Sequence, residues 1–300
     1  MPPLYSIAAR SRSTDAPVDR VGNRPHNRDM RTPIPSIELH GYSDSHFHAT
    51  AMSEAGLDPV ALHAQATEQG LRAAVDVAIV PQDAVHAAKR WPDRSAVYLS
   101  CGVHPSQVQE WTVDAAVAAI GEQRELVDAV GEMGLDWFRM YAPREHQIEL
   151  FEAQLQLARD WAKPAIVHNR DADDEVIAAI ERFAPVTGVL HCFSSDRTAA
   201  ERALDAGFSI SFAGNLTFRS AATLREVCTY VPSDRILFET DAPFLTPAPH
   251  RGRPNHPGMT PLTITVAAQV RGERPEELAR RSTENLQRLF GARPLRFAKA

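Results

Sequence analysis

The stretch Tyr42-Ser-Asp-Ser-His-Phe-His-Ala49 (YSDSHFHA) sets two histidines on either side of a phenylalanine. In a helix, positions two apart point to different sides. In a strand they share a face, so His46 and His48 would project together while Phe47 packs behind them. The run before it, Pro35 to His40, is too broken for a helix, and a strand over Ile37–His48 is expected. A lone His-x-His is more often an ordinary half-buried strand than a metal pair, so the rest of the chain has to decide between the two.

Outward from this stretch, short Val/Ile/Leu-rich runs alternate with longer segments of helical period, the pattern of βα units around a buried parallel sheet. The expected strands are Ile37–His48, Leu71–Val80, Ala96–His104, Leu126–Leu135, Ala165–His168, Gly188–Phe193, Phe208–Phe212 and Ile236–Thr240. Eight of them predict an α/β fold closed as a (β/α)8 TIM barrel. The segment 144–162 spaces Ile148, Phe151, Leu155 and Ala158 by three or four residues, one apolar helical stripe. Residues 196–207 open on an Asp cap and close on Gly207, and Pro275–Phe290 reads as a terminal helix. No internal repeat or low-complexity linker interrupts residues 40–290, so one domain over 36–292 is expected, between a mobile extension (1–35) and a short tail (293–300). Met30 is a candidate second start site.

Bulk properties narrow the possibilities. With 44% hydrophobic and 23% charged residues the chain is an ordinary globular protein; it has no apolar run long enough to span a bilayer and no secretory h-region, which points to the cytoplasm. Three widely spaced cysteines, Cys101, Cys192 and Cys228, argue against a disulfide framework or a thiolate zinc site. A net charge of −6 does not advertise nucleic-acid binding, although bound cations can reverse that locally.

In such a barrel the reactive groups come from the C-terminal ends of the strands. Here those ends carry Asp44, His46 and His48, then His104, Glu132 and Asp136, His168, His191, and finally Glu239 and Asp241. Each alone has a dull explanation: a satisfied rim histidine, a cap or a turn. Together they are costly to bury without a counter-ion, and divalent cations turn the same groups into ligands. His46, His48, Glu132, His168, His191 and Asp241 are too many for one tetrahedral ion and suit two divalent metal ions (Mg, Mn or Zn), with Glu132 as the natural bridge. Two cations about 3.5–4 Å apart acidify a shared water and stabilise in-line displacement at phosphorus. Asp241 is the group placed to orient that water and accept its proton.

At this point the motifs DSHFH (44–48), GVHP (102–105), GEMGLDWF (131–138), VHNRDADDEV (167–176), LHCFSSD (190–196), GFSISFAGNLTF (207–218) and ETDAPFLTPAPHRGRPNHP (239–257) fall in the order seen in TatD-type metal-dependent deoxyribonucleases. The resemblance covers about residues 42–290. It implies a (β/α)8 barrel with a two-metal site hydrolysing phosphodiesters of DNA, typically as a Mg-supported 3′→5′ exonuclease; a single-stranded DNA substrate and a monomer are expected. By position it implies His46, His48, Glu132 and Asp241 around one metal and Glu132, His168 and His191 around the other. His104 would then be an outer or phosphate-facing group, and Asn215 and Arg251 substrate contacts. Arg251 and Arg253 lie in the Pro/Gly-rich loop after the last strand, where a guanidinium fork can reach a phosphate. Ser106 stands where many relatives carry a second histidine after GVHP.

Three rivals are weighed. A D-aminoacyl-tRNA deacylase or other ester hydrolase would use the same activated water. Amidohydrolases for cyclic amides typically bridge their ions with a carbamylated lysine on strand four, where this chain offers Glu132. A catalytically silent barrel would have no use for so many mouth-facing acids and imidazoles. Helical His63, His86 and His146 are expected on solvated faces, His250 and His256 at the surface, Cys192 in packing, and Trp111 and Trp137 sealing the rim, with Trp137 the better candidate for stacking on a base.

Overall fold

The computed structural model describes residues 34–293, and the proposed extension, the Met30 start and the tail otherwise lie outside the described residues. Eight parallel strands follow in sequence order, β1 Tyr42–Phe47, β2 Leu71–Asp76, β3 Val97–Cys101, β4 Ala129–Asp136, β5 Ala165–Arg170, β6 Gly188–Leu190, β7 Phe208–Phe212 and β8 Ile236–Phe238. Each neighbours the next, and β8 returns to β1: Asp241 N–H donates to the His46 carbonyl (2.9 Å) and His48 N–H to that of Ala242 (2.8 Å). The fold is a (β/α)8 barrel. Asp44 reinforces the seam, accepting from the Thr240 N–H (2.9 Å) and hydroxyl (2.6 Å).

All eight expected strands exist, but most are shorter than expected. Residues 37–41 lie outside β1: Gly41 turns with φ +86°, and Ile37, Leu39 and Gly41 donate to Gly258, Gln69 and Gly70. At the other ends, Val77–Val80, Gly102–His104, His191–Phe193 and Glu239–Thr240 leave the ladder to form the mouth. His48 is therefore the residue that starts the Ala49–Glu54 helix, and β1 ends at Phe47.

The barrel interior is filled by Ala73, Val75, Tyr98, Ala129, Ile166, Val189 and Leu237, and its N-terminal end is stoppered by Leu286 and Phe290 of the terminal helix. That helix spans Pro275–Phe290, as the sequence predicts. In the Arg144–Trp161 helix the buried face is Gln147, Leu150, Phe151, Gln154, Leu155 and Ala158, so Ile148 flanks the stripe and two glutamines enter it. Burying these amides requires partners. Gln154 grips both polar groups of the Val103 backbone (2.8 and 3.1 Å), and Gln147 accepts from Asp136 N–H (3.0 Å), so one helix fixes the ends of β3 and β4.

Three histidines expected on solvated or surface positions are packed instead. His146 Nε2 reaches the Trp111 carbonyl (2.9 Å), His63 lies against Trp91 with ring centres 5.0 Å apart, and His256 is fully buried. His256 Nε2 donates to the Ile34 carbonyl, and its Nδ1 accepts from Gly258 N–H (3.2 Å). Burial pushes His256 down to about 4, against the opposing pull of that carbonyl. An unfolded imidazole titrates near 6.5, so the stability of the neutral buried ring is complete above about pH 6.5 and is lost as pH falls toward 4, at most about 3 kcal/mol. His256→Gln, which cannot be protonated, is expected to lose less melting temperature between pH 7.5 and 4.5 than the parent; equal losses would reject this account.

Candidate metal centre

Glu132 is built into the middle of the barrel mouth by two glycines. Gly131 (φ +142°) and Gly134 (φ +141°) adopt backbone that a side chain rarely tolerates, and a Cβ on Gly134 would collide with the His168 carbonyl. Between them the β4–β5 register slips, and Glu132 N–H bonds the Ala78 carbonyl (3.0 Å). Such a bulge re-aims a side chain. The carboxylate ends up buried among five imidazoles, its two oxygens facing different groups. Oε2 lies 3.3 Å from His46 Nε2 and 3.5 Å from His48 Nε2. Oε1 lies 2.7 Å from His191 Nε2, 3.1 Å from His168 Nδ1 and 3.4 Å from His104 Nε2.

Asp241 completes the first group, with Oδ1 3.5 Å from His48 Nε2 and 3.9 Å from His46 Nε2. The two Nε2 atoms are 3.0 Å apart. In the second, His168 Nδ1 and His191 Nε2 are 3.3 Å apart. The rings of His46 and His191 stack at 3.9 Å and join the groups. The structure thus brings together all six residues expected to be ligands, with His104 beside them.

Tautomers, assigned from the hydrogen bonds, separate ligand-like rings from donors. His48 Nδ1 donates to the Val77 carbonyl (2.9 Å) and His191 Nδ1 to Glu239 Oε1 (3.2 Å), so in each neutral ring Nε2 points a lone pair inward. A lone pair set against a carboxylate oxygen needs a proton or a cation between them. His46 Nδ1 is buried without a partner, leaving Nε2 as its one polar contact. His104 is the reverse: Ser106 N–H donates to its Nδ1 (3.0 Å), so Nε2 carries the hydrogen and faces Glu132. Ser106 fixes that orientation, and its hydroxyl lies 2.7 Å from the same nitrogen.

The electrostatics match. Burial alone would raise Glu132, but His191, His104 and His46 hold it well below the usual carboxylate range. Burial likewise opposes, and His48, His191 and His46 outweigh it, in keeping Asp241 low. Burial pushes His104 down to about 3 despite the pull of Glu132. His191 is raised well above its ordinary value because Glu132 and Glu239 overcome burial. Three sets of donor atoms lie within ion-binding reach: His46, His48 and Glu132; His104, Glu132 and His168; His46, His191 and Glu239.

Some supporting residues were singled out by sequence without a role, and others were missed. Glu239 Oε1 also accepts from Cys192 N–H (2.8 Å), holding a residue in the left-handed region (φ +45°), a strain of about 1–3 kcal/mol of the kind stored at functional sites. Asp136 Oδ2 lies 3.6 Å from His168 Nε2. Asp76, missed entirely, accepts from Ala49 N–H (3.0 Å) and Trp91 Nε1 (2.7 Å), pinning the helix that follows His48. The only signal for these was a carboxylate ending an apolar run. Burial and neighbouring acids hold the Cys192 thiol well above its ordinary value, so it is no nucleophile. Asn215 and Arg251 stand aside. Asn215 donates to the Phe193 carbonyl (3.3 Å), while Arg251 is exposed, stacked on Phe218 at 3.9 Å, and lines with Arg253 a cleft of about 700 Å³ beside Leu57 and Thr246.

Fold and site together define a metal-dependent hydrolase on a (β/α)8 barrel. The chain belongs to the TatD-related DNase family, whose model matches residues 43–291. It is 39% identical to the Escherichia coli K12 metal-dependent hydrolase YcfH over 257 residues, covering 82% of this chain and 94% of that protein. It is 38% identical to the 3′-5′ ssDNA/RNA exonuclease TatD of Erwinia billingiae over 222 residues, covering 71% and 84%. Among solved structures it is similar to YJJV, a TatD homolog from Escherichia coli K12, with a TM-score of 0.75 and 27% identity over 84% of this chain and 98% of that one. No helix among the described residues is long and apolar enough to cross a membrane.

Proposed function

We propose that this chain is a two-metal phosphodiesterase that shortens single-stranded nucleic acid from an end. The observation that carries the reading is the division of the Glu132 carboxylate, one oxygen toward His46 and His48 and the other toward His168 and His191. That is the arrangement of a bridging ligand. His46, His48, Glu132 and Asp241 would hold one ion, and Glu132, His168 and His191 the other. Bound there, the two cations supply an acidified water and a sink for the charge that develops on phosphorus oxygens.

The chain's own groups do the rest. Asp241, ionised at neutral pH, takes the proton from the attacking water at Oδ1. His104 offers its Nε2 hydrogen toward the same space, a fixed donor for a phosphate oxygen. Glu239 and the Val77 carbonyl take the Nδ1 hydrogens of His191 and His48, so Nε2 is the nitrogen each ring would offer a cation in place of a proton. Glu132 occupies the strand-four position where a cyclic-amide hydrolase would carry its lysine, which favours the phosphodiester reading. The printed name of the Erwinia relative points to the same substrate class.

Metal-loaded protein is expected to hydrolyse single-stranded DNA and RNA from one end, to leave D-aminoacyl-tRNA intact and to lose all turnover with a chelator. Elemental analysis should find two divalent ions per chain, and metal at 100 times its Kd should add about 2.7 kcal/mol of stability. Cleavage of the ester alone, or a single bound ion with full activity, would overturn the proposal.

A further inference from the structure

Between β4 and the Arg144–Trp161 helix runs Trp137-Phe138-Arg139-Met140-Tyr141, which the chemistry above does not use. Trp137 is buried, with the Arg144 guanidinium 4.7 Å from its ring centre, so it is no free stacking surface. Its neighbours are the opposite: Phe138 is 57% exposed, Met140 46% and Tyr141 38%. Apolar side chains gathered on a surface mark something that binds there.

Two cations flank the patch. The guanidinium of Arg170 lies 4.3 Å from the Phe138 ring centre and that of Arg139 5.7 Å. Neither is held in a salt bridge among the described residues. Arg170 ends β5, two residues after His168, and its carbonyl accepts from Trp137 N–H (2.9 Å), which ties the two loops together. The patch is also coupled to the cluster. Asp136 accepts from Arg139 N–H (2.7 Å) with one oxygen and faces His168 with the other. Phe138 is two residues beyond Asp136, at most about 7 Å of chain.

Resting on the nuclease reading, we infer that Phe138, flanked by Arg139 and Arg170, is a stacking platform for an unpaired base adjoining the phosphodiester that enters the cluster. The ring gives a base a face to lie on, and the guanidiniums meet the neighbouring phosphates. On a chain of net charge −6, guanidiniums at the mouth, with Asp136 as their neighbouring acid and no salt bridge among the described residues, are where a polyanion can approach. Bases in a duplex have their faces covered by one another, so the platform selects single strands.

The test uses metal-loaded full-length protein, a fluorescent phosphorothioate oligonucleotide that resists hydrolysis, and bis(4-nitrophenyl) phosphate as a phosphodiester without bases. Phe138→Ala is expected to weaken oligonucleotide binding about 5- to 150-fold, the ~1–3 kcal/mol of one stacked base. Its turnover of the small phosphodiester and its melting temperature should match the parent, and Phe138→Trp should restore binding. Arg170→Gln should flatten the salt dependence of binding. Unchanged binding by Phe138→Ala would overturn the inference and leave a protein partner as the occupant of this face. Equal loss of binding and of small-substrate turnover would overturn it too, as would absence of oligonucleotide binding by the parent. Failure of the nuclease reading looks different: the parent cleaves neither substrate, while oligonucleotide binding and its dependence on Phe138 remain.

Discussion

Glu132→Ala is expected to abolish turnover at any metal concentration. In the folded chain the two oxygens of Glu132 lie within 3.5 Å of five rings, drawn from both imidazole groups. Its removal leaves His46, His48, His168 and His191 gathered in a buried space with Asp241 the nearest remaining acid of the first group, so the two proposed ions would each lose a ligand and the charge that offsets them. Loss of a mere outer partner costs about 10–100-fold in metal affinity; loss of the shared ligand should exceed that for both ions. Calorimetric titration with Mn should show both sites weakened together, and turnover should stay at background in saturating metal. Near-parental activity, or weakening of one site alone, would show that Glu132 does not bridge. Glu132→Gln tests the charge separately, since the amide keeps the shape of the group and offers one oxygen instead of an anion.

Asp241→Asn is expected to separate binding from chemistry. The carboxylate touches the first group from one side, 3.5 Å from His48, and its backbone is held in the left-handed region (φ +57°) by the N–H bond to His46. Asp and Asn both tolerate that conformation, so the variant keeps the geometry and changes the charge. Metal affinity should fall modestly, because His46, His48 and Glu132 remain. The rate should fall about 10²–10⁴-fold, the usual contribution of a positioned base. A parental kcat would remove Asp241 from the role of proton acceptor, and loss of metal in proportion to rate would make it a ligand and nothing more.

Much of the fold was legible because most strands carry a short Val/Ile/Leu-rich run between helical segments, while β1 (YSDSHF) was read from its alternation, and eight strands leave a closed sheet as the economical arrangement. Strand ends were not legible. Val77, Val103, Phe193 and Thr240 are as buried as the strands they follow, and burial does not distinguish a ladder from a mouth loop packed under others. His256 shows the same limit: its partner is the Ile34 carbonyl, 222 residues away, and nothing in the Pro/Gly-rich run around it announces burial.

The division at the site follows the same physics. Sequence by itself determined which ligand-type side chains the molecule owns and that they sit in or just after the apolar runs, because residue type and alternation are local properties. Tertiary structure alone decided that Glu132 would turn its two oxygens to different histidine groups, and that His48 and His191 commit Nδ1 outward and turn Nε2 inward, where His104 Nδ1 accepts and its Nε2 carries the hydrogen. Those outcomes depend on Val77, Glu239 and Ser106, and on the register slip between β4 and β5. A proton's position on an imidazole is set by the neighbour on its far side, and closing the barrel is what chooses that neighbour.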